Sequence, residues 1–156
     1  MKERKLNNKG FSLVELIIVI AIMVILVVVI APQYLKFVNN ARISTDIQTA
    51  DTVQAAIYAE ITQGSSVFPP DGNFDGSVAG DVTAFTTNVT TVNAFPESRF
   101  NGYHFVITGD NVTGVTAIDI TNGTNTYRCW PNSEVDASPA GINRLRTEGS
   151  NPGLRQ

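Results

Sequence analysis

A lone carboxylate at the mouth of a long apolar run is the group in this sequence whose placement most invites chemistry. Glu15 is followed by residues 16–31, which carry no charge and no strongly polar side chain, and a small residue, Gly10, marks the junction with a short basic stretch. An acid at the edge of such a segment is costly in lipid, so Glu15 is expected to have a role there. Other reactive groups offer less. The single cysteine, Cys129, beside Trp130, is expected to be a small packed hydrophobe. It has no obvious base, because the one histidine, His104, lies in a strand-like run and no third group is evident. Asp71, Asn73 and Asp75, in the run Asp71-Gly72-Asn73-Phe74-Asp75-Gly76, match the first half of an oxygen-rich calcium loop. The twelfth position of that loop is Val82, with Asp81 beside it, so a Gly/Asp turn pair is the better reading. No G-x-S-x-G, phosphate-binding glycine loop or paired Cys or His with ligand spacing occurs. The sequence therefore predicts neither an enzyme nor a cofactor.

The elements that must position Glu15 follow from charge and hydropathy. The net charge of the 156 residues is −3. The first ten residues hold Lys2, Arg4, Lys5 and Lys9 against Glu3, which is +3 and leaves −6 on the rest. The remaining Lys and Arg are thinly spread, so no basic patch for phosphate neutralisation forms and direct nucleic-acid binding is not expected. Residues 11–31 number 21, close to the ~20 that cross a hydrocarbon core. Three readings compete. A secretory signal cut after its apolar region lacks an A-x-A site. A signal anchor would keep its basic end in the cytoplasm. A leader could instead be cut before the apolar run, at Gly10.

The residues Lys9, Gly10, Phe11, Ser12, Leu13, Val14 and Glu15, with the apolar run behind them, resemble the class III signal of type IV pilins and pseudopilins. The resemblance covers residues 9–50 and includes Pro32, where such pilins often carry a helix-kinking proline. Beyond about residue 65 it is one of layout only. It implies cleavage between Gly10 and Phe11 by a prepilin peptidase, N-methylation of the new Phe11 amine, and an assembly role for Glu15 and Phe11. In a filament, Glu15 would meet the amine of a neighbouring subunit. Pairing would offset the burial of both charges and fix axial register. The single cysteine departs from the disulfide-stapled tail of many Gram-negative members and points to a disulfide-poor source.

From Pro32 the apolar run becomes periodic. Leu35, Val38, Ile43, Ile47, Ala50, Val53, Ile57 and Ile61 form one helical face, and Asn39, Asn40, Arg42, Asp46, Gln48, Thr49 and Gln54 the other. Gly64 is the expected C-cap. A helix over 11–63 would be ~80 Å long, and Pro32 should kink or locally melt it. Tyr34, Phe37 and Tyr58 are expected to pack rather than to form an electron path. Residues 81–94 have strand composition and are expected to form a strand or an extended flap; Pro96, Glu97 and Ser98 read as a turn. Three strands are expected over 103–108, 112–120 and 124–130, with a hairpin turn at Asn122-Gly123. Their sheet should cover the helix stripe. The tail, 132–156, is expected to wrap the surface or to be partly mobile, and only 140–145 could form a helical turn; Arg144, Arg146 and Arg155 are expected to be solvated. Asn88, Asn111 and Asn122 each begin an N-glycosylation triplet, which a chain rich in Asn and Thr produces by chance.

The expected fold is α+β: a long N-terminal helix packed against a small antiparallel C-terminal sheet, the pilin "lollipop". The expected segments are a leader (1–10), a transmembrane and filament-core half-helix (11–31), an amphipathic half-helix (32–63) and a globular head (64–156). The head comprises a loop over 64–100, a sheet over 101–131 and the tail. The expected function is that of a structural subunit, a major pilin, of a cell-surface type IV pilus. Its implied partners are copies of itself in a helical filament, the prepilin peptidase, an assembly ATPase and an inner-membrane platform protein, with the membrane as its host before assembly. The alternative is a pseudopilin of a type II secretion or competence system. Against the secretion system, the Tyr-Pro-Thr and Gln-Gly-Leu pattern of its major pseudopilins is missing at residues 66–70. A third alternative is a signal-anchored binding domain that never polymerises. Adhesion, motility and DNA uptake are properties of a fibre and do not follow from one subunit.

Overall fold

The computed structural model describes residues 11–131. The leader with Gly10, and the tail with its expected helical turn and Arg144, Arg146 and Arg155, lie outside the described residues. Helix α1 (Leu13–Thr62) is followed by β1 (Asn73–Asp75), α2 (Ala79–Asn88), β2 (His104–Asp110), β3 (Gly114–Thr121) and β4 (Thr126–Trp130). The chain divides into two units, one through Phe37 and one from Val38. The architecture is the expected α+β one, with a single long helix and a four-stranded antiparallel sheet in the order β1-β2-β3-β4.

The first unit is the apolar part of α1. Its 18-residue apolar window has no buried residue. A helix hydrophobic all round has no way to bury itself alone and requires lipid or other helices. Pro32 lies inside α1, which runs as one helix from Leu13 to Thr62.

In the second unit α1 buries Ile43, Ala50, Val53 and Ile57 in one cluster with Phe105, Ile107, Ile118 and Ile120 of the sheet. Ile47 and Ile61 are partly buried against it. The helix ends as the sequence predicts. Gly64 has φ +87°, Gly64 N–H donates to Ile61 O at 2.9 Å and Ser65 N–H to Glu60 O at 3.1 Å. This is the Schellman pair of bonds, which needs a residue tolerant of left-handed backbone.

Two expectations for α1 fail. Asp46, assigned to the polar face, is fully buried, and Glu60 is nearly so. Both lie on the core stripe and serve as acceptors for the connection between helix and sheet. Tyr34, Phe37 and Tyr58, expected to pack, are more than half exposed; Tyr58 shares its face with the exposed Gln48, Thr52 and Ala55.

The connection 63–103 departs furthest from the sequence reading. Residues 79–88 are helix α2, not a strand or flap. Strand propensity is weak against packing. Phe85 is fully buried, its ring 5.3 Å from Phe74 and 5.0 Å from Phe95, edge-on to both. Val89, one turn on, is buried too. Threonine is a poor helix former, but Thr83, Thr86 and Thr87 each donate a hydroxyl bond to a carbonyl one turn back, at 2.8–3.1 Å. Glu97 is likewise not in a turn but bridges antiparallel to His104.

Within 71–76, Asn73 to Asp75 form the short strand β1, paired with Val106 to Thr108 of β2. The three strands expected from the sequence are β2, β3 and β4, with boundaries shifted by one or two residues. A register irregularity in β2–β3 falls at Gly109, where a Cβ would lie 2.4 Å from Gly114 O and 2.5 Å from the Phe68 ring. Only glycine admits that approach.

Candidate functional site

The N-terminal segment is built around Ser12 and Glu15. Ser12 precedes the first helical residue, and its Oγ accepts from Val14 N–H at 3.3 Å. Glu15 Oε2 reaches back to accept Ser12 N–H at 2.8 Å. Two orphan donors of the first turn are thus satisfied reciprocally, as in a capping box, and the carboxylate also complements the helix dipole. The S-x-x-E spacing at Ser12 and Glu15 was present in the sequence, and Ser12 is the residue that reading missed.

Glu15 and Phe11 are both exposed, Phe11 at 88 %. Among the described residues no group bonds Glu15 Oε1. The site can therefore hold a carboxylate in fixed orientation, one oxygen engaged by its own helix and one facing outward. Pro32 lies further along the same helix and touches neither residue's bonding. Gly10 is outside the described residues.

Two buried carboxylates anchor the head. Asp46 accepts Ser98 Oγ–H at 2.7 Å and Arg99 N–H at 2.9 and 3.3 Å. Burial raises its pKa, against the opposing pull of those two bonds and of the Arg99 charge. Glu60 accepts the hydroxyl and the backbone N–H of Thr90 through one oxygen, at 2.6 and 3.0 Å. Neither role is visible in a hydropathy pattern, where each acid only interrupts an apolar stripe.

The calcium-loop candidates are engaged otherwise. Asp71 Oδ1 lies 3.5 Å from Asn73 N. Asn73 accepts the Thr108 hydroxyl at 2.9 Å. Asp75 accepts the Ser77 hydroxyl and N–H, and lies 3.2 Å from His104 Nε2. Burial pulls the Asp75 pKa up, but the Ser77 bonds and His104 together hold it below the usual value. Among the described residues no three His, Cys, Asp or Glu side chains gather as a metal site. Cys129 is fully buried, and burial first, then the charges of Asp46 and Asp119, drives its thiol pKa well up. A thiol so held is a packing residue. A cleft of about 540 Å³ lies between α2 and the start of β2, lined by Val82, Phe95, Glu97, Phe100 and His104 among others.

Residues 5–31 match the family model described as the prokaryotic N-terminal methylation motif. The chain is 34 % identical over 98 residues to the type IV major fimbrial protein FimA of Dichelobacter nodosus, covering 61 % of this chain and 60 % of that one. It is 32 % identical over 72 residues to a fimbrial protein of Pseudomonas aeruginosa, covering 44 % and 47 %. It is 26 % identical over 116 residues to the prepilin peptidase-dependent protein D of Escherichia coli K12, covering 70 % and 80 %. The chain thus spans about half to three-fifths of the first two relatives. No solved structure matches.

Proposed function

We propose, from the premise that the chain belongs to the type IV pilin and pseudopilin family, that it is the major structural subunit of a surface pilus. The observation that carries this reading is the exposed carboxylate of Glu15 at the head of a helix whose 18-residue apolar window has no buried residue among the described residues. A prepilin peptidase cuts between Gly10 and Phe11, and the new Phe11 amine is methylated. The subunit then waits in the membrane through residues 11–31, with the −6 remainder of its charge outside. Lateral packing of the apolar helices removes their surface from lipid. Glu15 keeps its Ser12 bond and offers Oε1 to the Phe11 amine of a neighbour, so both charges enter the fibre paired. Pro32 lacks an N–H donor and gives the packed helices a place to bend. An assembly ATPase and an inner-membrane platform protein supply the work of extraction. The family's role is structural.

Mass spectrometry of material sheared from the source cells tests this. The expected product is abundant and begins at methylated Phe11. Glu15→Ala should leave the membrane pool intact and remove the chain from the sheared fraction. An intact leader confined to the membrane fraction would refute the processing. Unchanged surface display of the Glu15→Ala chain would refute the docking role.

A further inference from the structure

Three Asn-x-Thr triplets lie in the head, and the structure separates one from the other two. In the first, Asn88 donates Nδ2 to Val67 O at 2.8 Å, and the Thr90 hydroxyl donates to Glu60 at 2.6 Å. In the second, Asn111 accepts Val67 N–H and Phe68 N–H at 2.7 Å each and donates Nδ2 to Phe68 O at 3.0 Å. Its Thr113 hydroxyl is bonded to Asp110. Both asparagines are structural clamps on residues 67–68. A group attached to either nitrogen would crowd the carbonyl it bonds, Val67 O or Phe68 O.

The third triplet, Asn122-Gly123-Thr124, sits at the β3–β4 turn, with all three residues exposed. Asn122 Oδ1 accepts Thr124 N–H at 3.0 Å and Asn125 N–H at 2.7 Å. This Asx turn fixes the amide plane. Among the described residues, nothing accepts from Asn122 Nδ2 and nothing bonds the Thr124 hydroxyl. The acceptor nitrogen and the threonine hydroxyl are the two groups that define an N-glycosylation acceptor, and only in this triplet are both free.

We propose that Asn122 is a site of N-linked glycosylation, taking a sugar from a donor activated at C1 through a diphosphate. In the transfer, Asn122 Nδ2 forms a bond to the sugar C1 and gives up one proton to a base of the transferase. The C1–O bond to the diphosphate breaks, and the diphosphate carrier leaves with the electron pair. The turn needs no rearrangement for this, because its own bonds use Oδ1 and leave Nδ2 outside. The proposal rests on the head being exported, as the pilus reading requires.

The test is peptide mass spectrometry of the chain purified from the source cells, with protease treatment of intact cells alongside. Cleavage after Arg99 and Arg128 yields the peptide 100–128, which holds both Asn111 and Asn122, while Asn88 falls in the peptide 43–99. Fragmentation should place a glycan on Asn122, with Asn88 and Asn111 bare. Asn122→Gln and Thr124→Val should each abolish it, and the head should be cleaved by protease on intact cells. A bare Asn122 in a head that protease reaches would overturn the proposal while leaving export standing. A glycan on Asn88, on Asn111 or on a hydroxyl would overturn it as well. A bare Asn122 in a head that protease does not reach would count against the proposal and the export reading together.

Discussion

Replacing Asp46 should separate two effects that share one buried carboxylate. Asp46→Ala leaves the Ser98 hydroxyl and the Arg99 N–H without their acceptor. Each orphaned, part-buried donor costs at most ~1–3 kcal/mol, so the expected loss is ~2–6 kcal/mol. Asp46→Asn keeps an oxygen for Arg99 N–H and presents an amide N–H to Ser98 Oγ, and it drops the charge. It should stay within ~1 kcal/mol of the parent at neutral pH, or exceed it. The pH dependence carries the sign. The folded pKa of Asp46 is raised from 3.8. Between that value and the raised one the folded chain therefore holds more protons than the unfolded chain. The Asp46 contribution to stability is full below 3.8 and falls as pH rises through the window. The difference between the parent and Asp46→Asn should accordingly shift in favour of Asn on going from about pH 4 to about pH 7. Urea unfolding of the full chain in detergent, followed by the fluorescence of its single tryptophan, Trp130, measures all three. Hydrogen exchange at the Arg99 amide reports the local bond. The reasoning is refuted if Asp46→Ala costs less than ~1 kcal/mol with Arg99 still protected, or if Asn is as costly as Ala. It is refuted also if the pH trend runs the other way.

Phe85→Ala removes the ring between Phe74 and Phe95 and should cost ~3–5 kcal/mol in the same unfolding assay, whereas an extended flap at 81–94 would lose far less. Gly109→Ala drives a methyl against Gly114 O and the Phe68 ring and should lower the melting temperature, with exchange at Gly109 N–H, bonded to Gly72 O, reporting the opening; an unchanged melting temperature would count against that packing. Cys129 should resist alkylation in the folded chain and react on addition of urea, because its thiol is buried and its pKa raised; rapid labelling of native protein would contradict its place in the core. Ser12→Ala should cost ~0.5–2 kcal/mol of helix-end stability, visible as faster exchange at Val14 N–H, and no change there would argue against the cap.

Features that depend on local order were legible along the chain alone. The apolar run behind Glu15, the stripe from Ile43 to Ile61, the Gly64 stop and the strands around Asn122-Gly123 need only composition and period, because a helix face and a strand alternation repeat along the chain itself. The S-x-x-E cap at Ser12 was legible in the same way. Tertiary structure decided what depends on residues far apart. Asp46 is polar in any pattern, and only the Ser98 and Arg99 donors, more than fifty residues on, make its burial tolerable. Residues 79–88 have strand composition, and only the gap between Phe74 and Phe95 draws Phe85 and its neighbours into a helix. Three identical triplet patterns were equivalent in the sequence. They became different because residues 67–68 lie against two of the asparagines and not against the third. A hydrogen bond across the fold is a property of two positions at once, and a one-dimensional pattern records one position at a time.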